Sequence, residues 1–335
     1  MNSHVAQRSE SLRQKLDALY APIASEMREV EELLQSELKS DNAYVDELVK
    51  YGFRISGKKL RPALVLLTAK AAGQATRDHL VLAAVLEMIH TATLVHDDVL
   101  DEAGMRRHLV TVNARWNNES SVLLGDYLFT HAFYLASTLD STFACRTIGK
   151  ATNIVCAGEL HQVHQRGNYG LSEAEYLEII DAKTAELTEC CCRLGAHYAG
   201  CEPELVERWS RFGRNLGIAF QIADDLLDLF GDQSETGKSL GTDLEKAKAT
   251  LPLIHLLRSA SPEERTQILE LLEGDAPSRR ADLQPWLARY GSIEYAQEQA
   301  RAYAQAALQE LEDLPPSPSL TVLRMLAEFV VSRQN

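Results

Sequence analysis

The chain has 335 residues, with 34 basic against 48 acidic side chains, a formal charge of −14, and 45% hydrophobic residues. With only 10 Pro and 18 Gly this excludes disordered and fibrous classes, and no uncharged apolar run approaches the roughly 18–20 residues of a membrane span. So negative a charge, with no run of Lys and Arg interleaved with aromatics, argues against nucleic-acid binding.

The first twenty residues are polar and lack a signal-peptide apolar region, so a cytoplasmic location is expected. Across residues 7–38, 76–104, 117–165, 172–200 and 203–231, apolar side chains recur every three or four residues, and no stretch alternates convincingly with period two. Turn chemistry is dense at 52–57, 73–76, 167–172, 200–203, 231–241, 274–277 and 315–318, which predicts an all-α chain of about ten to thirteen helices. No linker separates two halves, and segments such as LVLAAVLEMIHTATLVH are apolar on most faces, so one helical domain over 1–335 is expected. Residues 255–335 carry amphipathic helices without a chemical motif and read as structural. The cysteines are Cys145, Cys156, Cys190, Cys191, Cys192 and Cys201. Three in a row splay about 100° apart on a helix, so reduced, partly buried thiols are expected rather than a metal site.

One pattern occurs twice, 127 residues apart: HDDVLD at 96–101 and ADDLLD at 223–228. In each, the first and last Asp lie four residues apart and share one helix face, Asp97 with Asp101 and Asp224 with Asp228. Such pairs repel without a cation, and a hard divalent ion such as Mg²⁺ takes oxygen ligands while keeping positions for substrate phosphates. A single acidic pair is commonly a solvated helix end, but each cluster here is followed by cations: Arg106 and Arg107 after the first, Lys238, Lys246 and Lys248 after the second. Lys58, Lys59 and Arg61 form a third basic group. GDQSETGKS at 231–239 imitates a P-loop, but it has five residues between its glycines rather than four and it follows a helix, so nucleotide binding is rejected.

The segments GKKLRP at 57–62, HDDVLDEAGMRR at 96–107, GDYL at 125–128, KTAEL at 183–187 and FQIADDLLD at 220–228, followed by TGKSLGTDLEKAKATLPL at 236–253, are in order and cover roughly residues 50–255. Together they resemble the trans-isoprenyl diphosphate synthases, the polyprenyl synthetase family. The resemblance implies the isoprenoid synthase type I fold, a helical bundle around a deep central cavity. There about three Mg²⁺ ions bridge both aspartate motifs and an allylic diphosphate, and isopentenyl diphosphate attacks the allylic cation left by ionisation. It assigns Asp97, Asp101 and Asp224 as metal ligands, with Asp98, Asp225 and Asp228 as further or supporting ligands. Arg106, Lys183 and Lys238 would hold the allylic diphosphate, and Lys58, Arg61, His90 and Arg107 isopentenyl diphosphate. Lys248 would close over the phosphates, and Thr184 and Gln221 would face the developing cation. A homodimer is also implied, with a transient membrane contact at product release. The stretch 121–136 could be its interface or core.

His108 and Val110 stand where many members have Gly and Pro, Ser56 replaces the first Gly of a GGK, and Asn117 replaces a Gly. In the family, bulky residues four and five positions before the first motif stop elongation. Here these are Thr93 and Ala92, and the same face continues through Ile89, Met88, Val85 and Val81. No aromatic residue lies from Leu80 to Ala103, so any floor would come from a neighbouring helix, with Phe129, Phe133 and Tyr134 as candidates. One isoprene unit per open turn predicts a product of about C30 to C50. The alternatives are a C15–C20 synthase, in which the small residues only allow tight packing, and a non-catalytic partner subunit. A terpene cyclase or a helical scaffold with solvated acidic faces fits the intact second DDxxD and the accompanying cations less well.

Overall fold

The computed structural model describes residues 19–55, 57, 59–230, 241–274 and 276–332. Lys58 and Lys238 lie outside the described residues, as do Ser56 and the P-loop-like segment.

The described residues form sixteen α-helices: α1 (Ala24–Glu37), α2 (Ala43–Ile55), α3 (Leu60–Ala72), α4 (Arg77–Leu100), α5 (Val112–Arg115), α6 (Asn118–Ser137), α7 (Phe143–His164), α8 (Glu173–Ile180), α9 (Glu186–Tyr198), α10 (Pro203–Phe230), α11 (Thr242–Glu245), α12 (Leu251–Ser259), α13 (Pro262–Glu273), α14 (Ala276–Arg289), α15 (Ser292–Glu310) and α16 (Pro318–Ser332). The number exceeds thirteen because α5 and α11 are four-residue turns and because 117–165 is interrupted between α6 and α7 without a Gly or Pro. The described strands are two-residue arms, β1 (Met105–Arg106) and β2 (Leu109–Val110), paired antiparallel.

The helix starts follow from local chemistry. Ser172 accepts from the Glu175 amide while the Glu175 carboxylate takes the Ser172 N–H, a capping box that opens α8. Asn117 accepts from the Ser120 amide at 2.7 Å and caps α6, which gives this departure from the family pattern a local role.

By contacts the chain divides into two units. One comprises residues 1–150, 190–210 and 313–325, the other 151–189, 211–312 and 326–335. The first has α4 at its centre: every residue from His79 to Ile89 is buried, and its most extensive partner is α6. Among the described residues α4 is long and apolar enough, by length and composition, to cross a membrane, with a mean hydropathy of 1.4, although Glu87 interrupts it so that it is no uncharged run. Its most apolar window is 78% buried in protein, as for a core helix. In the second unit, Ile218, Ile222 and Leu226 of α10 pack against Tyr176, Ile179 and Ile180 of α8. All six cysteines are free thiols, with Cys190, Cys191 and Cys192 buried.

Candidate functional site

In the first unit α4 delivers the first aspartate cluster. Asp97 and Asp101 are half-buried, and Asp98, only 1% exposed, accepts from Arg106 Nε at 2.7 Å. That ion pair ties β1 to the end of α4. The hairpin turns through Arg107 and His108, whose φ angles of 52° and 63° are the left-handed pair of a type I′ turn. The Arg107 guanidinium lies against Gly57, 2.2 Å from where a Cβ would sit, so a side chain at 57 would have to displace this flexible group from its present place.

Arg61, on the first turn of α3, places Nη1 3.1 Å from His90 Nε2. A guanidinium has only donors, so Nε2 accepts and the imidazole proton sits on Nδ1. Burial, then Arg61, Arg107 and Arg106, hold His90 well below the usual imidazole range, so it is neutral near pH 7. Arg61 Nε is buried without a hydrogen-bond partner. Three cations around a neutral imidazole make a strongly anion-seeking pocket.

The chain-length face of α4 is tightly packed: Ala92, Ile89, Met88 and Val85 are all 1% exposed or less, while Thr93 is half-buried and bonds the His90 carbonyl at 2.9 Å. Near the start of α4 a cavity of about 280 Å³ is lined by Val81, Leu33, Tyr134 and Leu135, with Glu37, Arg77 and Asp78 also bordering it. Tyr134 is 64% exposed, and Phe129 and Phe133 stand 5.9 Å apart on α6.

In the second unit α10 carries the second cluster. Asp224 is half-buried and Asp225 buried. Asp225 Oδ2 accepts from the Tyr176 hydroxyl at 2.6 Å and Oδ1 from Gln221 Nε2 at 2.7 Å. Burial, with Asp243 and Asp224 nearby, pushes the Asp225 carboxyl well above its usual range against those two hydrogen bonds. Asp228 accepts from Thr242 Oγ1 at 2.8 Å and from the Asp243 amide at 3.0 Å, capping α11.

Between α8 and α9 the helix widens into a π turn, Asp181–Ala185, that carries Lys183 and Thr184. Such turns are frequent at functional sites because they shift side chains out of helical register. Arg214 fixes its start by a two-pronged pair with Asp181. Gly217 of α10 makes room for its end: a Cβ there would lie 2.6 Å from Ala185 Cα and 2.2 Å from Thr188 Oγ1. Lys183 pairs with Glu159 and donates to Gln162 at 2.9 Å, and Thr184 donates to Gln221 Oε1 at 2.8 Å. These side chains, with Tyr176, Asp225, Asp243 and Lys248, line a cavity of about 80 Å³. Lys248 Nζ stands 3.6 Å from Asp243.

Residues 42–289 match the polyprenyl synthetase family. The chain belongs to that family. It is 36% identical over 313 residues to the octaprenyl diphosphate synthase of Escherichia coli, covering 92% of this chain and 96% of that protein. Its fold superposes on a decaprenyl diphosphate synthase from Rhodobacter capsulatus with TM-score 0.90 at 33% identity, over 96% and 99% of the two chains. A polyprenyl synthase from Caulobacter crescentus, solved with calcium and isoprenyl diphosphate, superposes with TM-score 0.89 at 34% identity, over 96% and 98%. The all-α isoprenoid synthase type I fold expected from the motifs is thus the fold of this family member.

Within its first unit the family member brings Arg61, His90, Arg106 and Arg107 together. Within the second, Lys183, Thr184, Gln221, Asp225 and Lys248 share one cavity. Sequence reading singled out neither Tyr176 nor Asp243. Tyr176 is 49 residues from Asp225 and reads as one more apolar-face residue of α8, whereas Asp243, in the stretch GTDLEK at 241–246, could have been found by asking which acid follows the second cluster at a helix start.

Proposed function

We propose that this chain is a long-chain trans-prenyltransferase, which condenses isopentenyl diphosphate head to tail with an allylic diphosphate, releases pyrophosphate and forms an all-trans polyprenyl diphosphate of about C30 to C50. The observation that carries the reading is the setting of His90, a neutral imidazole among three guanidinium groups in the same unit as the first aspartate cluster. That charge pattern suits a diphosphate. Relatives named for eight- and ten-unit products favour the long-chain form over the C15–C20 form. So does α4, which presents no aromatic side chain along the roughly 24 Å from Asp97 to Val81.

Arg61 and Arg107, with Lys58, bind the isopentenyl diphosphate, and His90 offers Nδ1–H as a donor. Arg106, Lys183 and Lys238 bind the allylic diphosphate, and Lys248 closes over its phosphates. Asp97, Asp101 and Asp224 would hold Mg²⁺, about three ions, with Asp98, Asp225 and Asp228 in support. The donor set fits: it is all hard oxygen, and the carboxylates around Asp225 crowd one another as a cation would relieve. Among the described residues no three acidic, His or Cys side chains close a cage, which leaves positions for phosphate oxygens and water. When bound, the ions neutralise the diphosphate leaving group. Thr184 and Gln221 turn oxygen atoms toward the allylic carbons as positive charge develops. Arg106 and Lys183 retain the departing pyrophosphate, which accepts the proton lost from the condensed chain. A homodimer is part of this reading, supported by the exposed Val122, Leu123 and Tyr134 on α6.

The test is incubation with Mg²⁺, labelled isopentenyl diphosphate and allylic primers of two, three and four units, with product length read by chromatography. Products beyond C25 that disappear in Asp97→Ala and Asp224→Ala are the expected result. Products ending at C15 or C20 would refute the long-chain reading, and no product with any primer would point to a partner subunit.

A further inference from the structure

Thr184, Gln221, Asp225 and Tyr176 form an unbroken hydrogen-bonded line across three helical segments of the second unit. Thr184 Oγ1 donates to Gln221 Oε1 at 2.8 Å, Gln221 Nε2 donates to Asp225 Oδ1 at 2.7 Å, and the Tyr176 hydroxyl donates to Asp225 Oδ2 at 2.6 Å. The direction of every link is set by chemistry. Gln221 turns its NH₂, which can only donate, to Asp225 and its carbonyl oxygen, which can only accept, to Thr184, so the Thr184 hydroxyl points its proton at Gln221. This leaves the Thr184 oxygen with its lone pairs free for the cavity that the four residues line.

Tyr176 is the far end of the line. It is 4% exposed, it sits on α8 just before the π turn that carries Thr184, and its ring is part of the core around Ile179, Ile180 and Ile222. The reaction as derived above gives it no contact with the diphosphates. Yet without its hydroxyl, one oxygen of a buried carboxylate would lose a strong, short hydrogen bond. The Asp225 side chain could then rotate, and the Gln221 amide would lose the feature that distinguishes its two orientations. In the flipped amide, Thr184 would accept rather than donate, and its hydroxyl proton would face the cavity where positive charge is to develop.

We propose that Tyr176 is a positioning residue for prenyl transfer: by clamping Asp225 it fixes the Gln221 amide in one orientation and so holds the lone pairs of Thr184 toward the allylic carbons. The proposal rests on the prenyltransferase reading and deepens it at the same site. It revises the supporting metal role given to Asp225 above: both Asp225 oxygens are taken by Tyr176 and Gln221, which puts this carboxyl in the framework of the cation-stabilising groups and leaves the metal to Asp224.

Tyr176→Phe removes the hydroxyl and keeps the ring. Compared with wild-type enzyme in the prenyl-transfer assay, it is expected to lower kcat about tenfold while the KM for isopentenyl diphosphate and the Mg²⁺ concentration for half-maximal rate stay within about twofold. In an Asp225→Asn background the line is already broken, so adding Tyr176→Phe should change kcat by less than about twofold. Wild-type kcat in Tyr176→Phe, or an undiminished tenfold loss in the Asp225→Asn background, would overturn the proposal. A shifted Mg²⁺ dependence would overturn it too, since it would assign the effect to metal binding. Thermal melts of the same four proteins read the contact without turnover. The double variant should melt within about 1 °C of Asp225→Asn alone, and fully additive losses would mean that the contact is not made. If wild-type enzyme forms no prenyl product, the prenyltransferase reading fails while the melts still report on the clamp. If Tyr176→Phe melts below the assay temperature, kcat is compared at a temperature where it is folded, and the same two outcomes decide.

Discussion

His108 bears a full side chain at a φ of 63°, in the turn that aims Arg106 and Arg107. A left-handed conformation costs an L-residue about 1–2 kcal/mol, of which glycine's larger chain entropy would return about 0.5–1 kcal/mol on substitution. His108→Gly is therefore expected to stabilise the protein by about 0.5 kcal/mol, seen as a small rise in melting temperature, with turnover unimpaired because His108 is exposed and contacts no proposed substrate group. A fall in stability would show that the side chain makes contacts that outweigh the strain. The sequence presents the two arginines but not the turn, because two-residue strands are too short to show an alternating pattern. It presents Asp98 as one more acid of the cluster, whereas its burial against Arg106 appears only when the chain folds back eight residues later.

At the scale of an element, the segment from α8 to α9 shows where reading by period succeeds and where it stops. Ser172 and Glu175 announce the start of α8, and the apolar spacing through residue 198 announces its continuation. The π turn in between is invisible, since one extra residue per turn alters neither composition nor the overall spacing enough to notice. What marks it is Gly217, on a different helix, which reads in the sequence only as a glycine tolerated inside α10. Gly217→Ala should push on Ala185 Cα and Thr188, destabilising the protein by about 1–3 kcal/mol and displacing Thr184. A lower melting temperature together with a kcat reduced beyond any change in KM is the expected outcome. A variant with unchanged melting and turnover would mean that the two helices part without affecting the turn. The interruption between α6 and α7 was hidden for a related reason: residues 138–142 contain neither Gly nor Pro, and the break rests on Thr138 and Ser141 turning their hydroxyls to nearby backbone.

For the whole molecule, four histidines share one property. His79, His90, His197 and His255 are all held below the usual imidazole range, chiefly by burial. An unfolded chain protonates them near pH 6.5, whereas the folded protein resists, so below that pH the unfolded state binds more protons and stability falls as the pH drops. Melting temperature should be flat from about pH 8 to 7 and decline below about 6.5, and His90→Gln should flatten the decline most, because three guanidinium groups add to its burial. A melting temperature independent of pH between 7 and 5.5 would refute this. The all-helical class was legible because it depends on period, and the motifs were legible because they are local. The grouping of Arg61, His90 and Arg107 was legible only through the family resemblance, and Arg106 as their neighbour not at all, since the cage assembles residues from 61 to 107 through packing of α3, α4 and the hairpin.

The burial of α4 has a consequence for the life of the chain before it folds. A 24-residue helix with the hydropathy of a bilayer span is harmless only while its neighbours cover it. Newly made or heat-loosened chains expose a segment that lipid can capture, and capture would be effectively one-way. Variants that weaken the α4–α6 packing should thus disappear from the dissolved pool into the membrane fraction faster than their equilibrium stability alone would dictate, making quality control of this protein a race between helix packing and lipid.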